Sequence, residues 1–600
     1  MTNQESSSEP AVEAPAKPAP KKAKTEDPLA PISATILSQR NTFATEYTSN
    51  TPYPHVILPH LFDTVFLDSV VEEIKQNSSM TFKESDLFKF YQSIDLANLK
   101  SSGPVLQLRD LLYSAEWRQF MEDVADLPRD TLADRVDCAC NCHTTGCHLL
   151  CHDDVITTRC LSYILYLTEE DWTENEGGAL ELYPSKEGES KKIPDAIPSK
   201  VHRPLRNHLA MFKVEPGVSF HAVQEVFGSR PRLSLQGWYH YKDPSQMDHH
   251  HMPTLQMLKQ VKGEDDDDST GDGPYESLAE STDVETSADA SLTKVDLDYL
   301  AKFLDATYIQ PSEIKQINDA FQDESAVQLQ NFFRSDVIPS QEELKAEDAA
   351  LKSSSYSRGV TEEWKLVGPP HKQRYLECIA GPDSKDTVGS KLSQLRSEVL
   401  QSPQFGRWLA AVTNLPPPTA YRGKARRFRP GLDYTVAHHG LLLGQDEPPV
   451  LDATMCFVVN SPVHNTTPTA VEGNNNHVES PIENEEDESW ESGNVGGFEC
   501  YIEADEEEGV DEEYNPADED GSELLSVSAH NNTLSLVLRD TGTMRFVKYV
   551  SRRAPSSRWD IAMEYQIPEG DDAQDSDEEE NEGERLITTG VEEAVDARAN

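Results

Sequence analysis

Positive charge is what this chain has least of: 53 Lys and Arg stand against 106 Asp and Glu, a net charge of −53 over 600 residues. A nucleic-acid binder needs the opposite balance, because its affinity rests on Lys and Arg neutralising phosphates. Direct sequence-specific nucleic-acid recognition is therefore not expected, whereas a basic protein partner is. No uninterrupted apolar stretch approaches the ~18–20 residues that cross a bilayer, so no membrane span is expected. The opening residues, MTNQESSSEP, have neither the charged n-region nor the apolar h-region of a secretory signal. The 9 Cys then read as reduced thiols of the nucleus or cytoplasm. Six of them (138, 140, 142, 147, 151 and 160) crowd together, yet no C-x-x-C pair occurs and the paired ligands of a structural zinc site are missing. Cys138, Cys140 and Cys142 alternate as one face of a strand and read as small buried residues.

The acidic excess is concentrated. Glu264–Asp268, Glu483–Glu488, Glu503–Asp520 and Glu569–Glu584 hold 31 acids without a single Lys or Arg. Such runs cannot pack a core; they keep a chain soluble and can steer a basic substrate. They suggest the following division. Residues 1–45 form a disordered tail in which Lys17, Lys21, Lys22 and Lys24 cluster like a nuclear-import address. Residues 46–242 form a first domain and 243–290 an acidic linker, where Asp248-His249-His250-His251 reads as solvated. Residues 291–567 form a second domain with acidic insertions, and 568–600 an acidic tail.

In the first domain, helical spacing at LFDTVFLDSVVEEIKQ and LRDLLYSAEWRQFMEDVADL gives way after Asp137 to short runs such as RCLSYILYL, ALELYP, LAMFKV and RLSLQGWYHY. Helices followed by many short strands predict a mainly β fold with bracing helices. The second domain reads as a worn copy of the first. LRSEVLQSPQFGRWLAAVTNL echoes the second helical segment, GGFECYIE echoes GGALELYP, and NTLSLVLRDTG matches NHLAMFKVEPG in length and apolar pattern.

Chemistry is concentrated in CHLLCHDDV. On an extended segment residues i and i+2 share a side, so His152 and Asp154 face together and Asp153 faces away. An imidazole and a carboxylate on one face are two ligands of a non-haem Fe(II) site that needs one more His and must keep positions open. His221, in SFHAV, supplies the third. Arg232 opens the strand RLSLQGWYH eleven residues later, sharing a face with Ser234. A guanidinium there can grip a distal carboxylate with its fork. H-x-D, a distant His and R-x-S about ten residues on make the pattern of 2-oxoglutarate-dependent oxygenases.

CHLLCHDDV, SYILYL, GGALELYPS, LAMFKVEPG, SFHAV and RLSLQGWYH together resemble the Fe(II)/2-oxoglutarate-dependent prolyl hydroxylases that act on a small-subunit ribosomal protein. That family includes a yeast translation-termination and polyadenylation factor and a fission-yeast oxygen-sensing dioxygenase. The resemblance implies tandem double-stranded β-helix (jelly-roll) domains of which only the first is catalytic. It implies iron on His152, Asp154 and His221, and 2-oxoglutarate on Tyr166 and Arg232, with O2 as second co-substrate and L-ascorbate as auxiliary. Partners would be a basic ribosomal protein and translation-termination or degradation factors, in nucleus and cytoplasm. One departure is His143, where members of the family often have Tyr, so that contact with co-substrate is in question.

Counted from the aligned glycines, His438 and Gly440 fall where the second copy should have its H-x-D, Phe546 falls where it should have its distal His, and Arg558 near the place of Arg232. No facial triad can be built from these residues, so the second domain is expected to be inert. An oxygenase with another target and a non-catalytic tandem scaffold are the alternatives.

Overall fold

The computed structural model describes residues 28–77, 79–98, 103–187, 192–247, 273–278, 292–350, 355–381, 386–438, 449–460, 488–503, 523–540 and 542–568. The basic cluster of the first tail, the His-rich linker segment, Gly440 and nearly all of the four acidic runs lie outside these residues.

Period-2 alternation builds the first domain. One curled antiparallel sheet runs through the strands His55–Leu58, Leu209–Lys213, Arg159–Tyr166, Arg232–Tyr241 and Leu132–His143, turns at Phe88–Ser93, and returns through His148–His152, His221–Val223, Leu180–Leu182 and Lys200–His202. Along Arg159–Tyr166, Leu161, Tyr163 and Leu165 point outward onto the helices. Ile164 and Tyr166 point inward, meeting Leu180, Leu182, Ala210 and Phe212. The outward layer is closed by helices that include Thr64–Asn77, Pro104–Leu112 and Ala115–Val124. Cys138, Cys140 and Cys160 are packed into it as small apolar residues, and burial pushes the Cys138 thiol up to about 12. This is the mainly β, double-stranded β-helix architecture expected of the chain.

The predicted helix from Leu108 is in fact two helices. Ser114 accepts a hydrogen bond from the Trp117 N–H and starts a new helix at Ala115. A Ser side chain competes with the helical backbone and favours the N-cap. Ser402 repeats this before Phe405 in the second domain.

The second domain has the same plan. Its main sheet runs Ala326–Gln330, Thr533–Arg539, Val450–Phe457, Arg558–Gln566, Ala420–Phe428, Gln373–Cys378 and Trp364–Val367. Glu499–Glu503, Glu523–Val527 and Thr543–Val547 form a smaller sheet. The repeat extends to single hydrogen bonds. The Tyr239 hydroxyl donates to the Leu112 carbonyl and that of Tyr565 to Leu400. Asn207, at φ 60°, exchanges two hydrogen bonds with the backbone of Phe62, and Asn532, at φ 52°, does the same with Phe333. Asn is among the few residues that tolerate this left-handed backbone.

The domains dock through buried polar contacts. The Glu225 carboxylate accepts from the Ser551 hydroxyl at 2.5 Å, the Arg552 N–H at 2.8 Å and the Tyr549 hydroxyl at 3.3 Å. Arg374 donates to the Tyr183 hydroxyl, Ala437 N–H donates to Asp86, and the rings of His148 and Tyr549 lie 4.2 Å apart. Leu150, two residues before His152, packs with Tyr434, Val436 and Tyr549.

Candidate active site

His152 ends its strand and His221 begins another, and the two are direct partners across the ladder. Their ring centroids are 4.3 Å apart. Asp154 is not on the strand. Its φ of 62° turns the chain back after His152, so the expectation of an extended H-x-D segment is corrected. A left-handed turn, which Asp tolerates, delivers the carboxylate instead of the strand pleat. Asp154 Oδ1 lies 3.2 Å from His152 Nε2, and Oδ2 lies 3.3 Å from His221 Nε2. The three ligand atoms fall within 4.8 Å of one another, and this is the one such metal-competent group among the described residues.

The imidazoles are oriented for metal. His152 Nδ1 faces the Leu150 carbonyl at 2.8 Å and His221 Nδ1 the Ser219 carbonyl at 2.8 Å. A carbonyl accepts only from N–H, which places the proton on Nδ1 and leaves the Nε2 lone pair bare. His221 Nε2 is buried and makes no hydrogen bond. Two lone pairs and a carboxylate facing each other at this distance call for a cation. Burial alone would raise the Asp154 carboxyl, whereas positive charge at the His221 and His152 Nε2 positions, from protons or from a cation in their place, holds it well below the usual carboxylate range.

Two groups that sequence reasoning missed hold Asp154 in place. Ser162 Oγ and Trp238 Nε1 each donate to Oδ2 at 3.0 Å, and the two residues are paired across adjacent strands. A signal for them was present: Ser162 is in phase with Tyr166, and Trp238 with Arg232, on the inward face. The Arg159 guanidinium lies 3.5 Å over the Trp238 ring.

Arg232 and Tyr166 meet inside the barrel, the guanidinium carbon 5.2 Å from the phenol ring centroid. Arg232 is 1% exposed. Its Nε donates to the Gly178 carbonyl at 2.6 Å and Nη1 to Ser234 Oγ at 3.3 Å, while Nη2 and the Tyr166 hydroxyl interact with each other without a hydrogen bond of good geometry and have no other partner. Among the described residues no carboxylate pairs with it. Burial lowers the Arg232 pKa and pushes the Tyr166 phenol up to about 12. A buried guanidinium without a counter-charge is costly, and two unsatisfied donors beside it fit the far carboxylate of a dicarboxylic acid. Gly178, at φ 70°, is needed here, because a Cβ would sit 2.7 Å from Arg232 Cδ.

His143 is the direct ladder partner of Arg232 and stacks on Phe90 at 5.3 Å, with both ring nitrogens unbonded. Burial, then Arg232 and His148, hold its pKa well below the usual imidazole value, so it is neutral.

The second domain's counterpart of this site holds no triad among the described residues. Its ladder corrects one expectation: Arg545, not Phe546, pairs with Tyr501 as His221 pairs with Leu182. Counting from Gly542 misses this because register is set by pairing across the sheet, not by loop length. The Arg545 guanidinium meets Asp452 at 3.0 Å and Glu564 at 3.3 Å, residues that stand where Ser162 and Trp238 stand in the first barrel. Arg539 bridges the same two acids. His438 lines the residual cavity of about 30 Å³, which is water-sized. Arg558 donates to the Gly497 carbonyl as Arg232 does to Gly178, but it also pairs at 3.1 Å with Asp560, which stands in the place of Ser234 and is shared with Arg426. Cys456 occupies the Tyr166 position.

Residues 295–574 match the family described as oxoglutarate and iron-dependent oxygenase degradation C-term, and residues 138–240 match the 2OG-Fe(II) oxygenase superfamily. The prolyl 3,4-dihydroxylase OGFOD1 of Ostreococcus tauri is 34% identical over 544 residues, covering 86% of this chain and 95% of that protein. The prolyl 3-hydroxylase OGFOD1 of Xenopus laevis is 28% identical over 88% of this chain and 91% of its own length. A solved prolyl-4-hydroxylase of Pseudomonas putida aligns over 34% of this chain and all of its own, with 18% identity and a TM-score of 0.26. The similarity to the algal protein runs through both barrels, and on that ground the chain belongs to the OGFOD1 family of 2-oxoglutarate- and Fe(II)-dependent oxygenases.

Proposed function

We propose that this chain hydroxylates a prolyl residue of a basic small-subunit ribosomal protein. In this reading residues 46–242 form the catalytic domain, 291–567 the non-catalytic domain, and 1–45, 243–290 and 568–600 the tails and linker. The observation that carries it is the convergence of two bare Nε2 lone pairs and the Asp154 carboxylate in the same barrel as a buried guanidinium that has no counter-charge. His152, Asp154 and His221 hold Fe(II); Arg232 and Tyr166 hold the 5-carboxylate of 2-oxoglutarate. The bound metal supplies the oxidative chemistry with O2, giving succinate and CO2 as co-products.

The chain's own residues prepare that chemistry. The Leu150 and Ser219 carbonyls keep both imidazoles in the ligating tautomer, and Ser162 and Trp238 fix the Asp154 carboxylate. Arg232 and Tyr166 donate to the incoming carboxylate, which orients the co-substrate. Ile164, Leu182, Ala210 and Phe212 form an apolar wall that excludes water. L-Ascorbate as auxiliary, a nuclear and cytoplasmic location, and a link to oxygen sensing and translation termination extend the same reading. The prolyl target is supported by the similarity to prolyl hydroxylases and a basic partner by the chain's acidity, while its ribosomal identity rests on the resemblance of the motifs alone.

The test is Fe(II)-dependent succinate release by the purified chain with ribosomal-protein peptides, followed by mass spectrometry of the product. A +16 Da proline is the expected result. Turnover on lysyl peptides alone points to another target, and no turnover on any protein pool points to a scaffold.

A further inference from the structure

A cleft of about 500 Å³ opens between the two domains, and none of the triad, Tyr166 or Arg232 is among its lining residues. Arg203, on the first domain, and Arg358 and Arg552, on the second, line it, and Glu174 is the one acid among its lining residues. In a chain with twice as many acids as bases, these three guanidiniums form no ion pair among the described residues. Behind its wall, sealed from solvent, Arg358 Nε and the Tyr356 hydroxyl make no hydrogen bond.

The site is built rather than incidental. The fully buried Arg429–Asp433 pair holds the segment carrying these groups, because Arg429 Nη1 donates to the carbonyls of Tyr356 and Arg358. The Arg358 guanidinium also donates to the Pro430 carbonyl. Arg552 is positioned from the other domain: its N–H is bound by Glu225, and its guanidinium lies 4.3 Å over the Phe227 ring. Both arginines are therefore pre-organised, and domain docking assembles the cleft. Burial lowers His202 to about 4 and His208 below the usual imidazole value, so the positive charge of the cleft comes from arginine alone.

We propose that this interdomain cleft binds a small organic anion carrying two or more phosphate or carboxylate groups. Guanidiniums on facing walls ask for more than one anionic group, and their forks match phosphate and carboxylate oxygens alike. A basic ribosomal segment has the wrong sign for this cleft. A nucleic-acid strand would meet the long-range repulsion of the −53 charge, whereas a small anion can enter a pocket whose local field is positive within a Debye length. The proposal stands independently of the hydroxylation reading, since it concerns other residues and a binding measurement.

The experiment is calorimetric titration of the full chain with pyrophosphate and, separately, citrate. The titration uses metal-free full chain carrying Arg232→Ala, so that the first barrel offers the probes neither a metal nor its guanidinium clamp, and 2-oxoglutarate is left out because it is itself a dicarboxylate that would compete in the cleft. Saturable binding of at least one probe is expected, and which one binds separates phosphate from carboxylate chemistry. Arg358→Gln and Arg552→Gln should each weaken it about tenfold or more, while Arg334→Gln, at an arginine paired with Asp336 elsewhere on the surface, should not. Arg552 is exposed, so its variant tests the site even if Arg358→Gln fails to fold. The proposal is overturned if neither probe binds below 10 mM (roughly the weakest affinity of functional use), or if binding ignores both substitutions. It is also overturned if only a single-stranded oligoribonucleotide binds in an arginine-dependent way.

Discussion

The two barrels share strand order, a Ser-capped helix, an asparagine clamp and a tyrosine–carbonyl bond, yet they treat buried charge in opposite ways. In the first barrel Arg232 is buried with Ser234 beside it and no carboxylate among the described residues, and two imidazole lone pairs face Asp154. In the second, Asp560 pairs with both Arg558 and Arg426, and Arg545 projects its own cation between Asp452 and Glu564, at the position His221 takes in the first barrel. A side-chain guanidinium thus replaces the ion, and a side-chain carboxylate replaces the co-substrate. The second barrel supplies its own charges at this site; in the proposed function the first takes them from iron and 2-oxoglutarate.

The comparison breaks most visibly at the triad. Asp154→Ala or His221→Ala should abolish metal loading and lower succinate release by at least about 10³-fold, read by metal analysis and by the turnover assay. Arg545→Ala, at the matching place, should leave turnover intact but leave Asp452 and Glu564 undercompensated, costing about 3–5 kcal/mol and lowering the thermal midpoint. A loss of turnover in folded Arg545→Ala protein would end the claim that this barrel is inert.

The next largest effect is at the clamp. Arg232→Ala should raise the KM for 2-oxoglutarate by about 100-fold, the worth of a charge-assisted pair of hydrogen bonds. Ser234→Asp, which imports the neutralising acid of the second barrel, should do nearly the same without removing the arginine. Arg558→Ala should leave that KM unchanged. A smaller effect is expected at Trp238→Phe, which removes one donor to Asp154 and should weaken metal binding about tenfold, measured by competition with a chromogenic chelator.

The smallest effect concerns the joint between the barrels. Burial raises the Glu225 pKa, and hydrogen bonds from Ser551, Arg552 and Tyr549 only partly offset it. Its folded value therefore lies above its unfolded one. The stability it contributes is full below the unfolded value and falls as pH rises through the folded value. Glu225→Gln should flatten that part of the pH–stability profile, seen as thermal midpoints that change less as pH rises above 4.5.

Much of this could be read in the sequence because it depends on local spacing. H-x-D, the distant His and R-x-S name the residues that converge, and the GG motifs reveal the second copy, though not that Arg232 passes close to Gly178. What could not be read depends on pairing across the sheet. Asp154 reaches its place through a left-handed turn rather than the pleat, and the second copy's ligand position is occupied by Arg545 because the ladder, not the count from Gly542, sets its register. Ser162 and Trp238 are far apart in sequence and become neighbours only when their strands pair. The Glu225 contacts span more than 320 residues, and no local pattern announces them.

The lone Arg232 has an effect beyond catalysis. A folded state that is finished only by an outside dicarboxylate gains RT ln(1 + [L]/Kd) from it. The persistence of this protein in a cell should therefore rise and fall with the supply of 2-oxoglutarate, so that a metabolite would govern how much enzyme there is as well as how fast it works.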